Sequence, residues 1–290
     1  MDKLFEAVAA RGHVCVGLDT AIEYIPEKDD RLSTSQAILA YNKVIIDATI
    51  DIAACFKVQI AYYEEMGVAG LETYARTLQY IRGKGALAIA DIKRGDIADT
   101  ARRYARAHFD GEFEADFVTL TPYLGMDSIE PWLEWADKKG KGAFVLMRTS
   151  NKGRADFQCQ ELIGRAPKPP QRLYDTVGDK LSKLAAARLG KHGYGAFGAV
   201  VGAEGQSPEE CKEAAAIRSA YPSLFFLIPG YGAQGGAASD AALLLREGNG
   251  GVVNASRSIL KAWQKEGLAP DQAARQAVIE MRDAILRAAK

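Results

Sequence analysis

Cysteine is scarce and scattered in this chain of 290 residues: Cys15, Cys55, Cys159 and Cys211 form no Cys-x-x-Cys pair and no metal-knuckle spacing. That argues against a disulfide-stapled secreted scaffold and a zinc ribbon, and it suits a reducing cytoplasm. Cys15 and Cys55 fall within apolar runs, where a thiol behaves as a small hydrophobe. An excess of one charge is also missing. Lys plus Arg number 37 and Asp plus Glu 37, so no global field draws the protein to nucleic acid or to a membrane surface. No apolar run approaches the roughly 20 residues of a membrane span. The opening, Met1-Asp2-Lys3-Leu4-Phe5-Glu6, is acidic where a secretory leader is basic and then apolar, so no leader is expected. His13, His108 and His192 make no ligand spacing, and no metal site is expected.

What is present is a balance suited to a sizeable core, with 48% apolar and 26% charged residues. Short β-rich runs alternate with longer helical patterns. The expected strands are His13–Asp19, Ala54–Ile60, Leu87–Ile92, Asp116–Pro122, Ala143–Thr149, Phe197–Ala203, Leu224–Gly230 and Gly251–Ala255. Their near-continuous apolar character suits parallel strands covered on both faces. Two helix starts are explicit. Ser33 and Gln36 have capping-box spacing, and Ser207-Pro208-Glu209-Glu210 sets a cap residue, a first-turn proline and first-turn acids in order. About eight such units predict an α/β fold, a single (β/α)₈ TIM barrel forming one domain over residues 1–290. A doubly wound open sheet is the runner-up, weakened by the lack of GxGxxG after the first strand. Residues 150–171 break the rhythm, with Gly153, Gly164, Pro167, Pro169 and Pro170 and no clean period, and are expected to be a long loop.

Barrel active sites collect at the C-terminal ends of the strands. Here those ends are rich in charge. The first strand ends in Asp19, the second carries Lys57, and the third runs into Asp91-Ile92-Lys93-Arg94-Gly95-Asp96. The fifth ends in Arg148-Thr149-Ser150, the seventh in Pro229-Gly230-Tyr231-Gly232-Ala233-Gln234, and the eighth in Asn254-Ala255-Ser256-Arg257. Asp91 and Lys93, two apart, share a strand face, and Lys57 on the neighbouring strand can reach the same space. An alternating row of Lys57, Asp91, Lys93 and Asp96 would neutralise itself and keep Lys93 protonated. By spacing alone, such a row is equally an ordinary ion-pair network closing the barrel end. Asp96 and Thr100, four apart, share a face if a helix starts there.

These residues resemble the orotidine 5'-phosphate decarboxylase family. The match is carried by Gly17-Leu18-Asp19, Phe56-Lys57, Asp91-Ile92-Lys93-Arg94-Gly95-Asp96-Ile97 with Thr100, Arg148-Thr149-Ser150-Asn151, and Pro229-Gly230-Tyr231-Gly232-Ala233-Gln234-Gly235-Gly236. The longer motifs look like the bacterial type 2 subgroup. The resemblance implies a ribulose-phosphate-binding-barrel-like fold and a cofactor-free, cytoplasmic carbon–carbon lyase. It would convert orotidine 5'-monophosphate to uridine 5'-monophosphate and carbon dioxide, the last step of de novo pyrimidine nucleotide synthesis. By the same resemblance Lys93 protonates C6 of the pyrimidine and Asp91 lies beside the departing carboxylate, while Lys57 and Asp19 contact the ribose. Ser150 would hydrogen-bond the pyrimidine, and the loop after it would fold over the base. Gln234, Arg257 and the backbone near Ser256 would hold the phosphate, with Pro229 in the same substrate-binding set. Asp96 and Thr100 would enter the partner's site across a homodimer interface. Ala98, Asp99 and Lys152 depart from the family pattern beside these positions.

Two rivals remain. Magnesium-dependent sugar-phosphate decarboxylases and aldolases of the same superfamily carry a carboxylate ligand where this chain has Lys57, and a lysine there repels the metal. A non-catalytic nucleotide-binding barrel would have little reason to keep the full Lys–Asp row, because burying charges is costly. Trp132 and Trp135 are expected to pack against the core. Lys138, Lys139 and Lys141 are expected to form a solvated helix end.

Overall fold

An apolar strand leaves backbone donors and acceptors unpaired at any open edge, and closing the sheet removes the edge altogether. That is the solution in this computed structural model, which describes residues 1–26, 29–163, 171–203, 207–232 and 236–290. The strands are β1 (Val14–Gly17), β2 (Cys55–Gln59), β3 (Ala88–Arg94), β4 (Phe117–Leu120), β5 (Gly142–Arg148), β6 (Glu161–Leu162), β7 (Gln171–Arg172), β8 (Phe197–Val201), β9 (Phe226–Ile228) and β10 (Gly251–Ala255). Eight of them close a barrel in the order β1-β10-β9-β8-β5-β4-β3-β2. Every pairing round the barrel is parallel, as successive strands joined by helices require.

All eight expected runs are barrel strands, in order. Most are trimmed at their ends, and β3 continues to Arg94, past the expected stop at Ile92. The antiparallel pair β6–β7 was not expected. Two-residue strands carry no period for a sequence to display. Both helix starts are as predicted. Gln36 N donates to Ser33 Oγ and Ser33 N to Gln36 Oε1, and Ser207 and Glu210 repeat that reciprocal pattern ahead of the helix Pro208–Ala220.

Alternation along the strands sorts the core into two layers. Val14, Val16, Phe56 and Val58 point outward and pack with helix residues such as Ile38, Ile45, Leu78 and Ile81. Cys15, Cys55, Ile89, Phe117, Phe144, Val200, Leu227 and Val252, one from each barrel strand, point inward. Leu4, Ala7 and Val8 of the helix Asp2–Arg11 join that inner layer and cover it from below. Each fully buried Leu, Val or Phe contributes about 1.5–3 kcal/mol. The floor of the barrel is therefore apolar.

One surface expectation fails. Lys141 is buried, and its ammonium donates to Glu114 Oε1 and to the Ala115 carbonyl, both at 2.8 Å. The residue follows the helix Glu130–Lys139 and its left-handed Gly140 cap, which turns the chain inward toward β5. Trp132 is buried, and Trp135 packs against the core. No helix among the described residues is long and apolar enough to cross a membrane.

Candidate active site

Two positions on from four of the inward apolar residues, the same strand face turns polar. Cys55 leads to Lys57 and Gln59, Ile89 to Asp91 and Lys93, Phe117 to Thr119, and Val252 to Asn254 and Ser256. These side chains meet at the C-terminal mouth, round a cavity of about 490 Å³. Asp19, Lys57, Asp91, Lys93, Ser150, Pro229, Ser256 and Arg257 all line it, together with Gln59, Thr119, Tyr231 and Asn254.

A continuous row of polar contacts crosses the mouth. Ser256 Oγ donates to Asp19 Oδ2 at 2.9 Å. Lys57 Nζ bridges Asp19 Oδ1 at 3.1 Å and Asp91 Oδ2 at 2.8 Å. Lys93 Nζ donates to Asp91 Oδ1 at 2.7 Å, Thr119 Oγ1 to the same oxygen at 2.7 Å, and Gln59 Nε2 to Asp91 Oδ2 at 3.0 Å. Asp91 thus receives four donors, which saturates an ionised carboxylate. The two lysines differ in exposure. Lys57 and Asp91 side chains are 6% and 7% exposed, whereas Lys93 is 47% exposed. Lys57 is held between two carboxylates, whereas Lys93 presents its ammonium to the cavity.

The electrostatics follow from that geometry. Burial pushes the Asp91 carboxyl up, but Lys57 and Lys93 outweigh it and hold the group well below the usual carboxylate range. Burial pulls the Lys57 ammonium down, and Asp19 and Asp91 more than reverse it, so Lys57 stays charged. Two cations and two anions make the row neutral. An anionic ligand must find further positive groups elsewhere, and the Arg257 guanidinium lines the same cavity. Close approach is built in at Gly17, where a Cβ would stand 1.9 Å from Ser256 Oγ and 3.0 Å from Asn254 Oδ1.

Not every residue singled out from sequence comes to this cavity. Asp96 and Thr100 do not line it. The helix expected to carry both starts only at Ala98, whose own φ is +49°, so Asp96 stays on the preceding turn and accepts from Ile97 N at 2.8 Å. Within one chain the row is Asp19–Lys57–Asp91–Lys93, without Asp96. Gln234 lies outside the described residues, as do residues 164–170 of the long loop. Arg148 is buried, and its guanidinium pairs with Glu213 Oε2 at 2.7 Å, a structural tie. His13 Nε2 donates to the Gly248 carbonyl, 2.8 Å away, and burial pushes the His108 pKa down to about 3. Among the described residues no cluster of three or more His, Cys, Asp and Glu could hold a metal ion.

Sequence reasoning missed Thr119, Gln59 and Asn254 as cavity residues. The signal was there in period: Gln59 is two on from Lys57, and Thr119 two on from an inward phenylalanine. Asn254 is nine-tenths buried, and its Oδ1 has no hydrogen-bond partner.

The relatives are consistent along the whole length. Orotidine 5'-phosphate decarboxylase of Clostridium perfringens is 54% identical, over 99% of this chain and 98% of its own. The enzyme of that name from Clostridium acetobutylicum is 52% identical over 98% of each. Among solved structures, Leishmania donovani OMP decarboxylase superposes with a TM-score of 0.74 at 31% identity, covering 99% of this chain and 98% of its own. The family model for orotidine 5'-phosphate decarboxylase / HUMPS proteins matches residues 12–271, and with the barrel and its charged mouth in agreement the chain belongs to that family.

Proposed function

We propose that this protein is a carbon–carbon lyase that decarboxylates orotidine 5'-monophosphate to uridine 5'-monophosphate, the last step of de novo pyrimidine nucleotide synthesis. The observation that carries this reading is the Lys93 ammonium, open to the cavity and held 2.7 Å from a fully saturated, buried Asp91. Breaking the bond between C6 and its carboxylate leaves the electron pair on C6, where the ring delocalises it poorly. A preorganised ammonium beside that carbon stabilises the developing charge and then transfers its proton to C6, leaving Lys93 as the amine. Carbon dioxide departs without further chemistry. Asp91 keeps the ammonium aimed and sits beside the leaving carboxylate. In this reading Lys57 and Asp19 contact the ribose hydroxyls, Ser150 the pyrimidine, and Gln234, Arg257 and the backbone near Ser256 the phosphate. Binding energy gained at phosphate and ribose lowers the barrier at the reacting carbon. Lys57, where sugar-phosphate lyases of the superfamily carry a metal-ligating carboxylate, speaks against magnesium chemistry.

The working unit in this proposal is a cytoplasmic homodimer, in which Asp96 and Thr100 complete the partner's site. Neither residue lines the cavity of its own chain, which is what such sharing requires. Mixing an Asp96→Ala variant with a Lys93→Ala variant then restores activity, because half of the exchanged dimers carry one intact site. No recovery despite proven subunit exchange defeats the shared site.

The reaction is tested by following loss of the orotate chromophore with excess chelator, beside Lys93→Ala. Turnover that survives chelation and disappears in the variant is expected. Turnover of sugar phosphates only when magnesium is added would replace this reading with the metal-dependent one.

A further inference from the structure

The ladder between β3 and β4 slips at the site. Ala90 pairs with Val118 and Arg94 with Leu120, so four residues of β3 advance beside two of β4. Asp91, Ile92 and Lys93 occupy the bulge. Lys93 has φ +44°, a left-handed conformation costing a residue with a side chain about 1–2 kcal/mol. Bulges near active sites re-aim a side chain and leave ladder groups in need of other partners. Here the partner is one hydroxyl. The backbone N–H groups of Ile92 and Lys93 both donate to Thr119 Oγ1, each at 3.0 Å.

A hydroxyl has two lone pairs and one proton. With both lone pairs occupied by backbone donors, the Thr119 proton is committed to Asp91 Oδ1, 2.7 Å away. That oxygen also receives the Lys93 ammonium at 2.7 Å. Thr119 therefore grips Lys93 at both ends, at the backbone directly and at the ammonium through Asp91.

We propose that Thr119 is a positioning residue of the reaction, whose single hydroxyl holds the left-handed Lys93 backbone and orients the carboxylate that aims the Lys93 ammonium. The inference rests on reading Lys93 as the proton donor to C6. A hydroxyl that merely capped the bulge would matter for stability and not for the chemical step. Misplacing a reacting group by about 1 Å costs on the order of 100-fold in rate, whereas among the described residues the Thr119 hydroxyl bonds only Ile92, Lys93 and Asp91 and none of the groups assigned to ribose or phosphate.

The experiment compares wild type, Thr119→Val, Thr119→Cys and Thr119→Ser with orotidine 5'-monophosphate, and measures the affinity of each for uridine 5'-monophosphate as a probe of intact binding. Valine keeps the branched shape and removes the hydroxyl; cysteine, the unbranched counterpart of serine, puts a poor hydrogen-bonding group where serine has its hydroxyl. In both, kcat falls by at least about 30-fold while KM and uridine 5'-monophosphate affinity stay within about threefold. Thr119→Ser, which returns the hydroxyl, recovers kcat to at least about a third of wild type. Should valine prevent folding, the cysteine variant carries the same expectation. The inference is overturned if both variants keep wild-type kcat, if kcat and uridine 5'-monophosphate affinity fall together, or if serine fails to rescue. Wild-type protein that does not turn over the nucleotide defeats the proposed function itself; wild-type turnover matched by Thr119→Val defeats only the role of Thr119.

Discussion

Lys57→Met withdraws one charge from between two carboxylates while keeping a side chain of similar length. Asp91 then retains three of its four donors, Lys93, Gln59 and Thr119, and only Lys93 is charged. Lys93 is 47% exposed, so water screens its attraction. Removing one partner of a buried pair costs about 3–5 kcal/mol, and the surviving donors place this case near 3 kcal/mol. An unfolding entropy of about 2.1 cal/mol/K per residue gives roughly 0.6 kcal/mol/K for this chain, so Tm at pH 7 drops by about 5 °C. The pH dependence is the sharper signature. A carboxyl whose pKa is depressed in the fold stabilises the protein above its unfolded value, about 3.9, and that stability is lost as pH falls through the folded value. Asp91 is such a group in the wild type, because its two lysines outweigh its burial. Without Lys57 the folded value rises, and the variant takes up its proton at a milder pH. The gap in Tm is therefore full near pH 7 and narrows only as pH falls through the variant's folded value toward the lower wild-type one. Calorimetric melts of both proteins at half-unit steps from about pH 7 to about pH 2 measure it. An unchanged Tm at pH 7, or a gap that stays constant to the acid end of that range, refutes the buried charge row as described.

Gly17→Ala brings a Cβ to 1.9 Å from Ser256 Oγ, which must move and release Asp19, so KM for the nucleotide rises and stability falls by about 1–3 kcal/mol; kinetics and melts that both match wild type contradict that close approach. Arg257→Ala removes a cavity-rim guanidinium and lowers kcat/KM for the 5'-phosphorylated substrate by roughly 10–150-fold, the worth of a hydrogen bond to a charged group. The same substitution leaves the far slower reaction of the unphosphorylated nucleoside nearly unchanged, and equal losses on both substrates rule out phosphate as the group Arg257 holds.

The barrel was legible because each of its strands is covered on both faces and so reads as an apolar run between polar helices. Most of the site was legible for a related reason. Once Cys55 and Ile89 face inward, Lys57, Gln59 and Asp91 must face inward too, whatever the loops do. Failures cluster where a period ends. Asp96 shares a helix face with Thr100 only if the helix starts there, yet it begins two residues later, at Ala98, whose positive φ nothing in its chemistry demands. Lys141 follows a run of lysines and looks solvated, but the Gly140 cap turns it into the protein, where Glu114 awaits it.

Thr119 shows the limit most clearly. Its position two residues past Phe117 makes it inward-facing, and that much could have been read. Its task depends on the two-residue slip between β3 and β4, which is a property of neither strand alone. The slip frees two N–H groups, the freed groups converge on the nearest acceptor, and the acceptor's one proton is then directed to Asp91. A charged pair two residues apart can be recognised from sequence. What holds that pair at a fixed angle is a hydroxyl on the next strand, and only the paired register brings the two together.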